Sequence, residues 1–360
     1  MSPSQQATTL LANRPFVLLL AGRTTSMLGM AFSPVALAFG LLQLPDGGPA
    51  TLSIVLAAQT VPMVIFMLVG GVVADRYPRR LVLLTGELLA ALGWGAIGVM
   101  LLTGYAPIVL LSLAAALAGL SSALIYPALS GIIPDLVSED MLQPANSWLA
   151  MGASVARLAG LVAAGAVVVW LGGGWAMVTA GSLFALAGLL MMRLPAVTGT
   201  LAGAEDHPIR QLIEGWGEFK SRQWLWVCVV QWSMLILALQ AAHGVLGPVV
   251  AEQELGGAAA WTTILAGEAV GAMIGVAISL VWHPHRPILV GTLLTGTAAL
   301  PPILLAVSVP LWVVTAAMGL QGIGFELFGV LWLTTMQNEV PPEALARVAS
   351  YDALGSLMLG

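Results

Sequence analysis

Long apolar runs alternate with short polar breaks along the whole chain, and that pattern predicts membrane-crossing helices. A helix needs about 20 largely apolar residues to cross roughly 30 Å of hydrocarbon. Runs of that length fall at about 15–44, 51–74, 81–102, 107–131, 144–171, 174–194, 224–250, 259–282, 287–307 and 310–337, ten complete spans. An eleventh begins near Ala349 and meets the end of the sequence at Gly360. Most breaks are very short, such as Pro45-Asp46-Gly47-Gly48-Pro49, Thr103-Gly104-Tyr105 and Gly172-Gly173-Gly174. The exception is the polar stretch 195–222, in which Ile209, Leu212, Ile213, Trp216 and Phe219 share one helical face. An amphipathic helix at the membrane interface fits that spacing, and a plain inter-domain linker helix fits it as simply. The first apolar run is too long for a cleavable signal peptide and is interrupted by Arg23, so it stays as the first span.

Composition narrows the class further. Hydrophobic residues make up 59% of the 360 and charged residues 8%, with a mean hydropathy of +0.97. Soluble domains carry roughly 25% charged residues, so a water-solvated surface is excluded, and intrinsic disorder needs the opposite composition. A net charge of -5 offers no footprint for nucleic acid. The single cysteine, Cys228, excludes a disulfide framework and a cysteine-based zinc site. No metal ligand set and no cofactor motif is visible. Neither His-Glu-x-x-His, Gly-x-Ser-x-Gly nor a phosphate loop occurs, which argues against an enzyme.

The basic residues are not scattered. Arg14, Arg76, Arg79, Arg80, Arg193, Arg210, Lys220, Arg222, Arg286 and Arg347 all fall on connections of one parity. The opposite connections hold Asp46, Glu252 and Glu254 and no basic residue. Since basic loops stay on the cytoplasmic side, the N-terminus and the central connection are expected there. Eleven arginines against one lysine suggest a GC-rich bacterial coding sequence, hence an inner (plasma) membrane.

The chain also repeats itself. Residues 135–146 and 339–350 align without gaps at an offset of 204, with Glu139/Glu343 and Ala145/Ala349 identical. The basic connection after the second span has a weaker echo at His283-Pro284-His285-Arg286-Pro287. The expected architecture is all-α and polytopic: an N-terminal six-helix half at 1–194, a cytoplasmic linker at 195–222, and a C-terminal half at 223–360. That second half would be incomplete, with four full spans and a stub of the eleventh. Repeated halves of this kind are a transporter architecture.

The most specific motif is Gly70-Gly71-Val72-Val73-Ala74-Asp75-Arg76-Tyr77-Pro78-Arg79-Arg80. Glycine permits close helix approach, and Asp75 at a helix end can meet a neighbouring helix N-terminus or an arginine. Here the sequence resembles the major facilitator superfamily, whose signature between its second and third helices has this form. Pro134-Asp135-Leu136-Val137, Leu142 and Ala145-Asn146 are similar to the connection after the fourth helix in its drug- and siderophore-efflux branch. Glu214-Gly215-Trp216 with Trp224-Leu225, and Gln337, Val340-Pro341 and Arg347-Val348, extend the likeness over essentially the whole chain. Met30 stands where the branch often has an acidic residue. Gly160-Leu161 and Ala164-Gly165 replace the Gly-Pro and Gly-Gly pairs common in antiporters. The resemblance implies alternating access driven by an ion gradient, commonly proton antiport. It assigns the gating motif to Gly71, Asp75, Arg76, Arg79 and Arg80, with Asp75 expected close to residues 349–352. Asp352 would add a second negative charge at that helix start.

Ionisable groups inside the spans are costly and should face a cavity or a partner. Arg23 and Glu326 fall on the first and tenth helices, which line the central cavity in the family. Glu326 is the leading proton-coupling candidate and Glu268 the second. Arg157 and Glu268, on the fifth and eighth helices, could equally form a structural ion pair across the half interface. Glu87 is read as an anchor for the basic loop. Met27, Trp232, Met234 and Phe325 give the cavity an aromatic and apolar lining suited to bulky, partly hydrophobic solutes. His243 is carried with these cavity residues, although a hydrogen-bonded packing role fits it as well. Small residues at four-residue spacing, Gly267-Gly271-Gly275 and Gly152-Ala156-Gly160-Ala164, predict close helix seams, structural first and potentially sliding. The expected protein is a monomeric exporter of drug-like, siderophore or secondary-metabolite compounds, its partners being a small molecule, protons and the bilayer. An importer on the same fold, or a non-transporting membrane protein, are the competing readings.

Overall fold

In lipid each backbone N–H and C=O must be satisfied within the protein, which leaves helices as the solution for long apolar segments. The computed structural model describes residues 3–42, 44, 49–195, 208–241, 247–255, 258–307 and 309–358, and among these the ordered elements are all helical. The first half comprises α1 (Pro3–Ala12), α2 (Arg14–Leu42), α3 (Pro49–Arg76), α4 (Arg79–Thr103), α5 (Ile108–Leu136), α6 (Leu142–Leu171) and α7 (Gly173–Met191). Next comes α8 (Pro208–Ser221). The second half comprises α9 (Gln223–Ala241), α10 (Gly247–Val250), α11 (Ala258–Ser279), α12 (Pro287–Thr295), α13 (Leu300–Ala306), α14 (Leu311–Glu339) and α15 (Leu345–Met358). Among the described residues eight helical segments are long and apolar enough to cross a membrane, and the bent pair α8/α9 is a ninth candidate.

Two expected spans differ in form. The run at 224–250 is not one helix over its described length: α9 ends at Ala241, and α10 is followed by a π-helical turn, Ala251–Leu255. The run at 287–307 is broken into α12, a 3-10 turn (Gly296–Ala299) and α13. Pro301 and Pro302 bring no backbone N–H to the turn before them, and there the Thr297 carbonyl accepts from the Leu300 N–H in a tighter i→i+3 bond.

Outward side chains identify the solvent. Val162, Val169, Trp170 and Trp312 are 72–80% exposed, which suits hydrocarbon and not water. Glycine sets the packing inside each half. A Cβ on Gly267, Gly271 or Gly275 of α11 would lie 1.9–2.7 Å from the carbonyl oxygens of Thr315, Gly319 and Ile323 on α14, a four-residue register on both helices. Gly152 and Gly160 of α6 face Thr24 and Ala31 of α2. Both small-residue seams therefore lie within a half and not between halves.

Helix α8 meets α9 at 92° and so runs across the end of the bundle. Phe219 is buried, and Trp216 and Phe219 pack on Tyr351 at ring distances of 5.5 and 5.9 Å. The linker helix thus docks on α15 through Trp216 and Phe219, while Ile213 of the same face is exposed. The side chains of Ile209, Arg210 and Leu212 lie outside the described residues.

Candidate functional site

The two halves are clasped at one end. Arg76, Arg79, Arg80, Arg193, Arg222, Arg286 and Arg347 lie at or beside helix ends on that side of the bundle, which we call the basic end. Asp75 closes α3 and pairs with Nε of Arg347, in the first turn of α15, at 2.8 Å. Their side chains are 6% and 12% exposed, so this is a buried ion pair. Arg79 joins three elements. Its guanidinium donates to the Gly131 carbonyl (2.8 Å), to the Asp135 carboxylate (2.7 Å) and to the Pro342 carbonyl (2.9 Å). Arg80 donates to the Leu194 carbonyl at 3.0 Å, and Arg76 is half-buried. The glycine pair of the motif serves both directions. A Cβ on Gly70 would strike the Ala123 carbonyl of α5, and one on Gly71 would strike Ser350 and Ala346 of α15.

Neutral groups finish the clasp. Asn146 Nδ2 donates to Gln337 Oε1 (2.7 Å) and Thr334 Oγ1 (2.9 Å), while Gln337 Nε2 donates to the Ser130 carbonyl at 3.1 Å. Gln143 Nε2 donates to the carbonyls of Ser279 and Trp282, both at 2.8 Å. These side chains are buried and cross from one half to the other.

Immediately inside the clasp is a cavity of about 220 Å³ between the halves. Arg23 of α2, Asn146 and Ala150 of α6, and Glu326 and Gly329 of α14 line it, with Leu129 and Leu333 among its apolar walls. The Arg157 guanidinium approaches Glu326 to 4.0 Å, with side chains 63% and 28% exposed. Arg23 also lines a smaller cavity of about 30 Å³ within the first half, together with Met27, Trp94 and Tyr126, and its guanidinium lies 6.0 Å from the Tyr126 ring centre. Trp232 meets Phe325 edge-on at 5.1 Å and stacks on Phe328 at 5.0 Å.

Several expectations change here. Met27 faces the cavity inside the first half and not the one between the halves, because its face of α2 packs toward α4, α5 and α7. Met234 is exposed. Arg157 and Glu268 do not pair. Glu268 lies on the α11 face drawn against α14 by the glycine seam, and there it accepts from Gln321 Nε2 at 3.5 Å. Glu87 does not anchor the basic loop. It is buried in the first half, near Ser26 and within electrostatic reach of Arg23. Asp352 does not share a helix start with Asp75. Helix α15 begins at Leu345, and five residues separate Arg347 from Asp352, roughly 140° around the axis, so Asp352 faces the second half. His243 lies outside the described residues. Arg347, Asn146 and Gln337, which the sequence marked through the family resemblance but without a partner role, turn out to be cross-half partners. Among the described residues no group of three or more His, Cys, Asp and Glu is placed to hold a metal ion.

Two helical halves clasped at one end around a charged, half-enclosed cavity define a polytopic membrane carrier. The chain belongs to the Major Facilitator Superfamily, whose family model matches residues 16–358. The enterobactin exporter EntS of Escherichia coli O1:K1 / APEC is 26% identical over 313 residues, covering 83% of this chain and 73% of that protein. A bacterial homologue of the iron transporter ferroportin, solved in an outward-facing state, superposes with a TM-score of 0.74 at 17% identity, over 95% of this chain and 89% of that one. A variant of the E. coli fucose:proton symporter FucP gives a TM-score of 0.75 at 14% identity, over 95% and 88%. These two structural likenesses establish the fold.

Proposed function

We propose that the protein is a proton-coupled exporter of siderophore-like or other bulky secondary-metabolite compounds, seated in a bacterial inner membrane with its basic end in the cytoplasm. The carrying observation is the cavity between the halves, which holds Arg23 and Glu326 directly inside a gate closed by cross-half contacts. Similarity to an enterobactin exporter supports the solute class and the direction. Arg23 supplies a fixed positive charge for an anionic or acceptor group of the solute. Glu326 is the coupling carboxylate: each of its oxygens holds either a proton or a donor group of the solute, and that mutual exclusion is what antiport requires. Arg157, 4.0 Å away, is the counter-ion of Glu326 when neither is bound. Glu268, engaged by Gln321 inside one half, is the weaker coupling candidate.

Everted membrane vesicles carrying the chain test this, with an imposed proton gradient and enterobactin as the first solute. We expect gradient-driven uptake that Glu326→Gln reduces roughly tenfold or more and uncouples from pH. Uptake by intact cells in place of everted vesicles would favour the importer reading, and no flux in either would refute transport. Orientation has its own test in a Cys228→Ser chain carrying a cysteine at position 210. An impermeant thiol reagent added to intact cells should leave that cysteine unlabelled.

A further inference from the structure

A second cavity, of about 160 Å³, opens inside the second half. Helix α9 contributes Cys228 and Trp232, α14 contributes Phe328, Gly329 and Trp332, and α15 contributes Asp352. Trp232, Phe328 and Trp332 form a near-parallel stack of three rings, at 5.0 and 5.8 Å with interplanar angles of 20° and 21°. The Trp332 indole N–H donates to Asp352 Oδ2 at 3.0 Å, and among the described residues no cationic side chain pairs with Asp352. Gly329 lines this cavity and also the one between the halves, and a Cβ built on it would meet nothing within 4 Å. The two cavities therefore share an unobstructed wall position.

The one formally charged group in this lining is the Asp352 carboxylate. A carboxylate withdrawn from water needs a compensating charge, and a neutral indole donor satisfies one oxygen without supplying it. Aromatic faces carry negative electrostatic potential and attract cations, most strongly at tryptophan. An anionic group is repelled by the carboxylate, and an uncharged donor can hydrogen-bond to it without supplying the compensating charge. The volume is well below that of a whole drug-sized site, so it fits one arm of a larger molecule. We propose that this cavity is a subsite for an ammonium-bearing arm of the solute, reached past Gly329, with Asp352 as its counter-ion and the Trp232/Phe328/Trp332 stack as its wall. The proposal rests on the transport reading for the word solute, and on the cavity alone for the binding.

Cys228 is the sole cysteine of the chain and lies in the cavity, so the native protein reports on it. The full chain, in lipid nanodiscs, is treated with methanethiosulfonates bearing an aminoethyl, a methyl or a sulfonatoethyl group, each rate normalised to a free thiol in solution. We expect the cationic reagent to modify Cys228 roughly tenfold faster than the anionic one, with Asp352→Asn bringing the two to near equality and Asp352→Glu retaining the preference. Benzyltrimethylammonium should slow modification in the native chain and not in Asp352→Asn, and its uncharged carbon isostere should not slow it in either. Equal rates for the two charged reagents, equal protection by the isostere, or a Cys228 unreactive to all three reagents would overturn the proposal. The labelling needs no gradient. A charge preference that persists in a chain without gradient-driven flux supports the subsite and counts against transport, whereas flux without charge preference counts against the subsite alone.

Discussion

The two flanks of the closed gate occupy the same place in the two halves and are built differently. Ser279 lies 204 residues after Asp75, and Arg347 lies 204 after Gln143, the same offset that aligns the two repeats. On one flank the end of α3 meets the start of α15 through the buried Asp75–Arg347 ion pair at 2.8 Å. On the other the end of α11 meets the start of α6 through the Gln143 amide, which donates to two carbonyls left without helical partners at the α11 end. Ser279 Oγ adds a bond to Ser147 Oγ at 2.8 Å. Repetition has kept the geometry and confined the charge to one flank. Loss of Asp75 leaves the buried Arg347 guanidinium only the half-exposed Glu214 carboxylate at 3.9 Å, whereas loss of an amide donor leaves carbonyls that water can reach once the ends part. The α3/α15 flank should therefore dominate the free energy of the closed gate.

The largest effect should come from Asp75→Ala. Breaking a buried pair by deleting one partner typically costs about 3–5 kcal/mol, so the closed population should fall by two orders of magnitude or more relative to the open one. A Ser130→Cys probe in a Cys228→Ser background reads this, because Ser130 is buried at the clasp. Its alkylation should accelerate strongly in Asp75→Ala and in Arg347→Ala, and less than additively in the double variant. Unchanged alkylation in both single variants would break the comparison. The next effect in size is Gln143→Ala, which removes two hydrogen bonds of about 1 kcal/mol each and should accelerate the same probe by roughly tenfold to thirtyfold. If Gln143→Ala opens the gate as far as Asp75→Ala does, charge is not what separates the flanks.

Much of this was legible from residue order. Apolar run length marked most of the spans, the arginines marked one end, and the family resemblance carried by the Gly70–Arg80 motif pointed Asp75 at the start of α15. What stayed hidden was pairing. Arg347 reads as one more basic connection residue until α15 is known to begin at Leu345, which puts its guanidinium in the first turn against α3. The same fact turns Asp352 away toward Trp332. Glu268 and Arg157 could equally have met across the interface by sequence. The glycine register of α11 on α14 decides otherwise, through backbone approach that residue spacing leaves undirected. Asn146 and Gln337 each belong to the family resemblance, yet nothing in sequence joins them across 191 positions.

The smallest expected effect concerns the glycines at the same repeat position. Gly71 and Gly275 are also 204 residues apart, and their surroundings differ in kind. A Cβ on Gly71 would sit 2.2 Å from Ser350 Oγ and 3.0 Å from the Ala346 carbonyl, both across the gate on α15. A Cβ on Gly275 would sit 2.6 Å from the Ile323 carbonyl, within its own half. Gly71→Ala should thus weaken the gate by about 1–3 kcal/mol, the usual range for overpacking, and leave the thermal stability of each half nearly unchanged. Gly275→Ala should do the reverse, lowering thermal stability while the Ser130→Cys probe reports a closed gate. Ser350→Ala removes the oxygen nearest to the new methyl group, so Gly71→Ala/Ser350→Ala should recover part of the closure and not all of it, because the Ala346 carbonyl is backbone and remains. Full recovery would make the hydroxyl the sole obstacle. No recovery would mean that α15 approaches α3 along a line set by its backbone, with the Asp75–Arg347 pair following that approach instead of enforcing it.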